Sequence, residues 1–155
     1  MTLEKFTNLI SSITSRIQGK PLDKQLEAEL NETFPPGGEV FESVFDACRQ
    51  GVAAGWMCDR EAGAMKYGRV IKPDPSIHGF SVDVVEYKDL KGPHHRHPNG
   101  EIDMIMPLDA NAKFDGHGKG WLVYGPDSAH NPTISEGKAL VLYLLPEGAI
   151  EFTKK

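Results

Sequence analysis

GPHHRHPNGE, residues 92–101, is the stretch on which the reading of this chain turns. His95 and His97 lie two apart, so on a β-strand both side chains leave the same face. Pro98-Asn99-Gly100 is a turn sequence with glycine at a position suited to positive φ, and Glu101 follows at once. A strand bearing two imidazoles, a reversal and a carboxylate brings three potential ligands together in one hairpin. GPDSAHNPT, residues 125–133, offers a fourth in His130, after another Gly-Pro turn. Three His and one Glu suit a divalent transition metal such as Fe, Mn, Ni or Zn, with positions left open for water or substrate. His94 and Arg96 point to the opposite face of a regular strand, and His94 would join the site only through a bulge. His117, within DGHGKG, reads as a solvated hairpin tip, and nothing in the spacing of His78 ties it to the site.

Working outward, 155 residues favour one domain (1–155) able to bury a core. Hydrophobic residues at 39% and charged residues at 25% are ordinary for a globular protein. A net charge of −5 argues against a nucleic-acid partner, which selects a basic face. No apolar run approaches the roughly 20 residues needed to span a bilayer, and the N-terminus lacks a basic segment followed by an apolar core, so a cytoplasmic location is expected. Cys48 and Cys58, the only cysteines, read as two reduced thiols.

Residues 1–56 read as a helical preface. Leu3, Phe6, Ile10, Ile13 and Ile17 alternate spacings of three and four, predicting a helix over 2–18 that packs on the core or forms a subunit interface. Pro21 opens a second helix, with Leu22, Leu26, Leu30 and Phe34 on its buried edge and Pro35-Pro36-Gly37-Gly38 ending it. A third spans 39–54, capped by Gly55. From residue 64 the texture changes to short, β-branched segments between Gly, Pro, Asn and Asp, predicting strands at 65–71, 80–87, 94–97, 102–107, 120–124, 139–145 and 150–152. The pattern predicts a mainly β chain, a small barrel or jelly roll over 64–155, with the helices covering an edge or the outside.

His95-x-His97-x-x-x-Glu101 resembles the first motif of the cupin superfamily, and Gly120-x5-Pro126…His130 resembles the second. Four features depart from that pattern. Gly92 stands too close to the first His, and the glycine expected after Glu101 is missing, with Pro107 and Asp109 in that turn. One residue fewer than usual separates Pro126 from His130, and Ile134 replaces an expected Asn. The resemblance implies a cupin-type double-stranded β-helix with a metal inside, held by His95, His97, Glu101 and His130, and a dimer or higher oligomer. REAG at 60–63, GRVIKP at 68–73, GFSVDVV at 79–85, GPHHRHPNGEID at 92–103 and ALVLYLLPEGAIEF at 139–152 together resemble the cupin-like lyases of bacterial nitrobenzoate breakdown. That family converts 4-hydroxylaminobenzoate to protocatechuate with release of ammonia.

A benzoate needs a cation for its carboxylate, and Arg60, Lys66 and Arg69 are the candidates. Lys66 and Arg69 have opposite parity, so at most one faces inward. Tyr67, Trp121, Tyr124 and Tyr143 are candidates for an aromatic lining, with Tyr124 and Tyr143 placed in the substrate pocket. Asp103 shares the parity of Glu101, as a base or as a partner to a ligand imidazole. Glu101, Asp103 and His94 are the candidates to move protons. The alternatives are an Fe(II) dioxygenase acting on a small aromatic acid and a non-catalytic small-ligand-binding barrel.

Overall fold

The computed structural model describes residues 2–153. The Thr2 side chain accepts from the amide of Lys5 and starts α1 (Leu3–Ile17), whose Phe6, Ile10, Ile13 and Ile17 are buried. The apolar stripe of this helix is therefore spent on packing within the chain. The second helix does not open at Pro21. Asp23 accepts from the amide of Leu26 at 2.9 Å, and α2 (Lys24–Thr33) begins after that cap. The last helix, α3 (Glu39–Ala54), ends at Gly55 with φ +86 and buries Phe41, Val44, Phe45 and Cys48.

Ten strands follow: β1 (Arg60–Ala62), β2 (Met65–Ile71), β3 (Phe80–Lys91), β4 (His95–His97), β5 (Glu101–Pro107), β6 (Lys113–Phe114), β7 (Gly120–Tyr124), β8 (Ser128–His130), β9 (Thr133–Pro146) and β10 (Glu151–Phe152). β1, β6 and β8 lie outside the expected set, being only two or three residues long and polar. β3 and β9 run further than expected because a bulge between Lys88 and Leu90 lets pairing continue through residues that read as loop. Asp89, inside that bulge, has φ +39.

All pairings are antiparallel. The large sheet has the order β1-β2-β3-β9-β5-β7, with β6 also on β9, and a small sheet has the order β10-β4-β8. This is a mainly β, cupin-type jelly roll with an N-terminal helical layer. One face of the large sheet, with Val82, Val84, Ile102, Met104, Leu142 and Leu144, packs against the three helices. The other face, with Val85, Tyr87, Ile105, Leu122, Val141 and Tyr143, forms the interior. β5 and β9 are thus covered on both sides, which is why they read as near-continuous apolar runs. Within β5, Glu101, Asp103 and Ile105 turn inward while Ile102, Met104 and Met106 meet the helices. Both cysteines are free and buried. No helix among the described residues is long and apolar enough to cross a membrane.

Candidate metal centre

The small sheet supplies three donors and the large sheet one. β4 and β8 pair so that His95 stands opposite His130 and His97 opposite Ser128. The period-two reading of His95 and His97 holds, and the register brings in the third imidazole. β4 then reverses into β5 through a turn closed by the Gly100 amide on the His97 carbonyl, 3.2 Å. Gly100 has φ +87, and a Cβ there would stand 2.8 Å from the Tyr124 carbonyl, so only glycine fits. The turn delivers Glu101 beneath the imidazoles.

Glu101 Oε1 lies 3.3 Å from His95 Nε2 and 3.2 Å from His97 Nε2, and its Oε2 lies 3.4 Å from His130 Nε2. His130 Nε2 is 3.1 Å from His95 Nε2. The four donor atoms all lie within 4.8 Å of one another. Donors about 2.1 Å from a shared ion, at tetrahedral or right angles, stand about 3.0–3.4 Å apart, so these spacings fit one divalent cation. His97 Nε2 and both Glu101 oxygens are buried without a hydrogen-bond partner among the described residues. Such orphaned atoms are costly in an apolar interior and are satisfied by coordination. This donor set therefore suits a metal.

Surrounding groups fix the rings. His97 Nδ1 meets Ser128 Oγ at 2.8 Å, and that hydroxyl donates to the Gly125 carbonyl at 2.6 Å. His130 Nδ1 meets Asp115 Oδ2 at 2.6 Å, where the Tyr124 hydroxyl also donates at 2.5 Å. Asp115 Oδ1 accepts from the amide of Thr133, 2.9 Å away. Engaging each Nδ1 turns Nε2 toward the shared point. Electrostatics agree. Burial alone would lift Glu101, but the His130, His95 and His97 rings outweigh it and hold the carboxyl well below its usual range. Burial opposes charge on His130, yet Asp115 and Glu101 outweigh it and raise the ring to about 9. Asp115→Ala is expected to weaken metal affinity about 10–100-fold, measured by competition with a chelator.

Beside His95 lies a pocket of about 630 Å³, whose walls include Tyr67, Arg69, Tyr87, Tyr143 and Phe152. Of the cations named from sequence, Arg60 and Arg69 line it. Lys66 does not; it is exposed and of opposite parity to Arg69. Tyr143 lines it, with its hydroxyl 2.6 Å from that of Tyr87. Tyr124 is absent from its walls; its ring lies 4.5 Å from that of His130. Trp121 sits in the helix–sheet core, donating to the Phe34 carbonyl at 2.9 Å.

Asp103 faces inward as its parity predicts, fully buried, and neither oxygen has a hydrogen-bond partner among the described residues. Burial and the charge of Glu101 push its carboxyl well up. The groups that orient ligand imidazoles are Asp115 and Ser128. Ser128 stands two residues before His130, but nothing in the sequence marks that stretch as a strand, so its role was not legible. Asp115 sits in a hairpin tip with no spacing signal. β4 carries no bulge, and His94 Nδ1 meets Thr153 Oγ1 at 2.5 Å on the far face, where Arg96 pairs with Asp127 and Glu151. His78 bonds Thr14 of α1 at 2.8 Å, and His117 is exposed.

Comparison with known proteins adds a second line of observation. A family model described as PnbB: 4-hydroxylaminobenzoate lyase matches residues 8–152. A protein named 4-hydroxylaminobenzoate lyase from Nocardioides sp. (strain LMS-CY) is 31% identical over 148 residues, covering 89% of this chain and 87% of its own. One of the same name from Pseudomonas putida is 26% identical over 166 residues, covering 96% and 94%. Among solved structures, a protein of unknown function with a cupin-like fold from Ralstonia eutropha aligns over 59% of this chain and 60% of its own, with 16% identity and a TM-score of 0.41.

Proposed function

This chain belongs to the 4-hydroxylaminobenzoate lyase family, and we propose on that ground that it converts 4-hydroxylaminobenzoate and water to protocatechuate and ammonia. The N–O bond breaks and its oxygen leaves as water, one water adds to the ring carbon beside the C–N carbon, and a second water replaces the nitrogen as the C–N bond breaks, for a net uptake of one water. One water enters, one ammonia leaves, and no external oxidant or organic cofactor is needed. The observation that carries the reading is the double position of His95, whose Nε2 belongs to the buried donor cluster while its ring forms part of the pocket wall. A ring bound in that pocket meets the centre.

His95, His97, Glu101 and His130 would hold a divalent Fe, Mn, Ni or Zn ion. Such an ion supplies Lewis acidity toward a substrate oxygen and lowers the pKa of bound water. The protein's own groups do the rest. Tyr67, Tyr87 and Phe152 offer aromatic faces to the substrate ring. Asp103, next inward-facing residue to Glu101 on β5, has two oxygens without a hydrogen-bond partner among the described residues and exchanges a proton with the reacting centre. Apolar walls at Val85, Leu145 and Ile150 keep bulk water away.

The test is chromatography of the metal-replete protein with 4-hydroxylaminobenzoate under anaerobic conditions. Protocatechuate and ammonia are expected in equal amounts, and unchanged substrate sinks the reading. Oxygen-dependent turnover would mark a dioxygenase instead. Elemental analysis of protein purified without added metal identifies the ion.

A further inference from the structure

One polar row crosses the apolar interior wall. Arg69 of β2 pairs in register with Asp83 of β3, Asp83 with Tyr143 of β9, and Tyr143 with Asp103 of β5. Cross-strand partners share a face, so all four stand on the inner face of the sheet, with Tyr143 and Asp103 buried and Arg69 at the exposed end of the row. The parallel row of Tyr67, Val85, Val141 and Ile105 is apolar save for one hydroxyl. At about 4.8 Å per strand, three spacings put Arg69 about 14 Å from Asp103 in backbone terms. Asp103 is two residues from the ligand Glu101. The row therefore joins the metal centre to a cation at the far side of the same pocket, which Arg69, Asp83 and Tyr143 all line.

The guanidinium at that end is held in place. Asp83 accepts from Arg69 Nε at 2.8 Å and from Nη2 at 3.1 Å, and the Gly148 carbonyl accepts from Nη2 at 3.2 Å. Nη1 has no hydrogen-bond partner among the described residues. Arg60 also lines the pocket and is exposed, as Arg69 is, but it has no ion-pair partner among the described residues to hold it. A fixed guanidinium edge loses less freedom on binding an anion than a mobile side chain does.

Building on the lyase reading, we propose that Arg69, oriented by Asp83, is the anchor for the substrate carboxylate. It thereby sets the preference for a ring whose acid and hydroxylamine groups are para, one at each end of the row. Arg60 stands at the mouth and does not carry this selectivity. A charge-assisted contact of this kind is worth about 10–100-fold in affinity.

Two measurements test the assignment. In turnover, the kcat/KM preference for 4-hydroxylaminobenzoate over phenylhydroxylamine, which lacks the carboxylate, is expected to fall about 10–100-fold in Arg69→Ala and to persist in Arg60→Ala. The Arg69→Ala/Asp83→Asn double variant, which leaves no unpaired carboxylate, must show the same fall. By calorimetry, benzoate is expected to bind the wild type about 10–100-fold more tightly than Arg69→Ala, with no such change for neutral benzamide. If the wild type fails to turn over its substrate yet benzoate binding depends on Arg69, the lyase reading falls and the anchor stands. Benzoate binding indifferent to Arg69, or selectivity lost in Arg60→Ala alone, overturns the assignment.

Discussion

His97→Ala is expected to leave the protein folded but without its ion, with turnover down by more than about a hundredfold, since outer-sphere partners alone are worth about 10–100-fold. His97 is fully buried, and its two nitrogens face opposite tasks. Nδ1 is fixed by Ser128, while Nε2 faces Glu101 with no hydrogen-bond partner among the described residues. Truncation removes one of the four donors and leaves a methyl group in a space shaped for a ring. It also strips one of three imidazoles from a carboxylate that is fully buried. The measurement is elemental analysis of wild type and variant purified side by side, with turnover and circular dichroism on the same samples. Metal content and activity that both survive would remove His97 from the ligand set. Loss of activity with metal retained would move it from coordination to substrate handling.

The second large effect concerns the helical layer. Phe41→Ala is expected to cost about 3–5 kcal/mol of stability, read from denaturant midpoints at unchanged slope. Phe41 is fully buried on α3, and its ring meets Trp121 of β7 edge-on at 6.1 Å between centroids. The cavity left behind is bounded by a sheet already packed on its other face, so little can collapse into it. For a chain of this size that loss lowers the melting temperature by about 10 °C. A cost under about 1 kcal/mol would show that the helices rest loosely on the sheet.

The clustering of His95, His97 and Glu101 was legible because it depends on period-two spacing and a turn, both local. His95, His97 and the Pro98–Gly100 reversal determine where Glu101 arrives, and the apolar stripe of α1 announces its burial. What was not legible depends on pairing between distant segments. The short strand Ser128–His130 gives no periodic signal, yet its register against β4 seats the third imidazole. Asp115 lies in a Gly-rich tip whose hydrophilic residues look solvated, and bonds to the Thr133 backbone, the Tyr124 hydroxyl and His130, all distant in sequence or unsignalled by it, turn its carboxylate inward. Parity ruled that Lys66 and Arg69 could not both face the interior, but choosing between them required knowing which face the helices occupy. The start of α2 was misplaced because Pro21 at a first turn and Asp23 as a cap are competing signals two residues apart. Aspartate prevails since its side chain satisfies an amide that proline merely lacks.

The pairing of β4 with β8 is only three residues deep, and such short ribbons slip easily. A shift of one residue would seat Ala129 against His95 and swing both His130 and Ser128 to the outside of the barrel. A chain mispaired in this way loses a donor and a ring-orienting hydroxyl together, so it would hold an ion poorly. Because an ion that binds one arrangement draws the population toward it, metal capture would proofread the alignment as the protein folds.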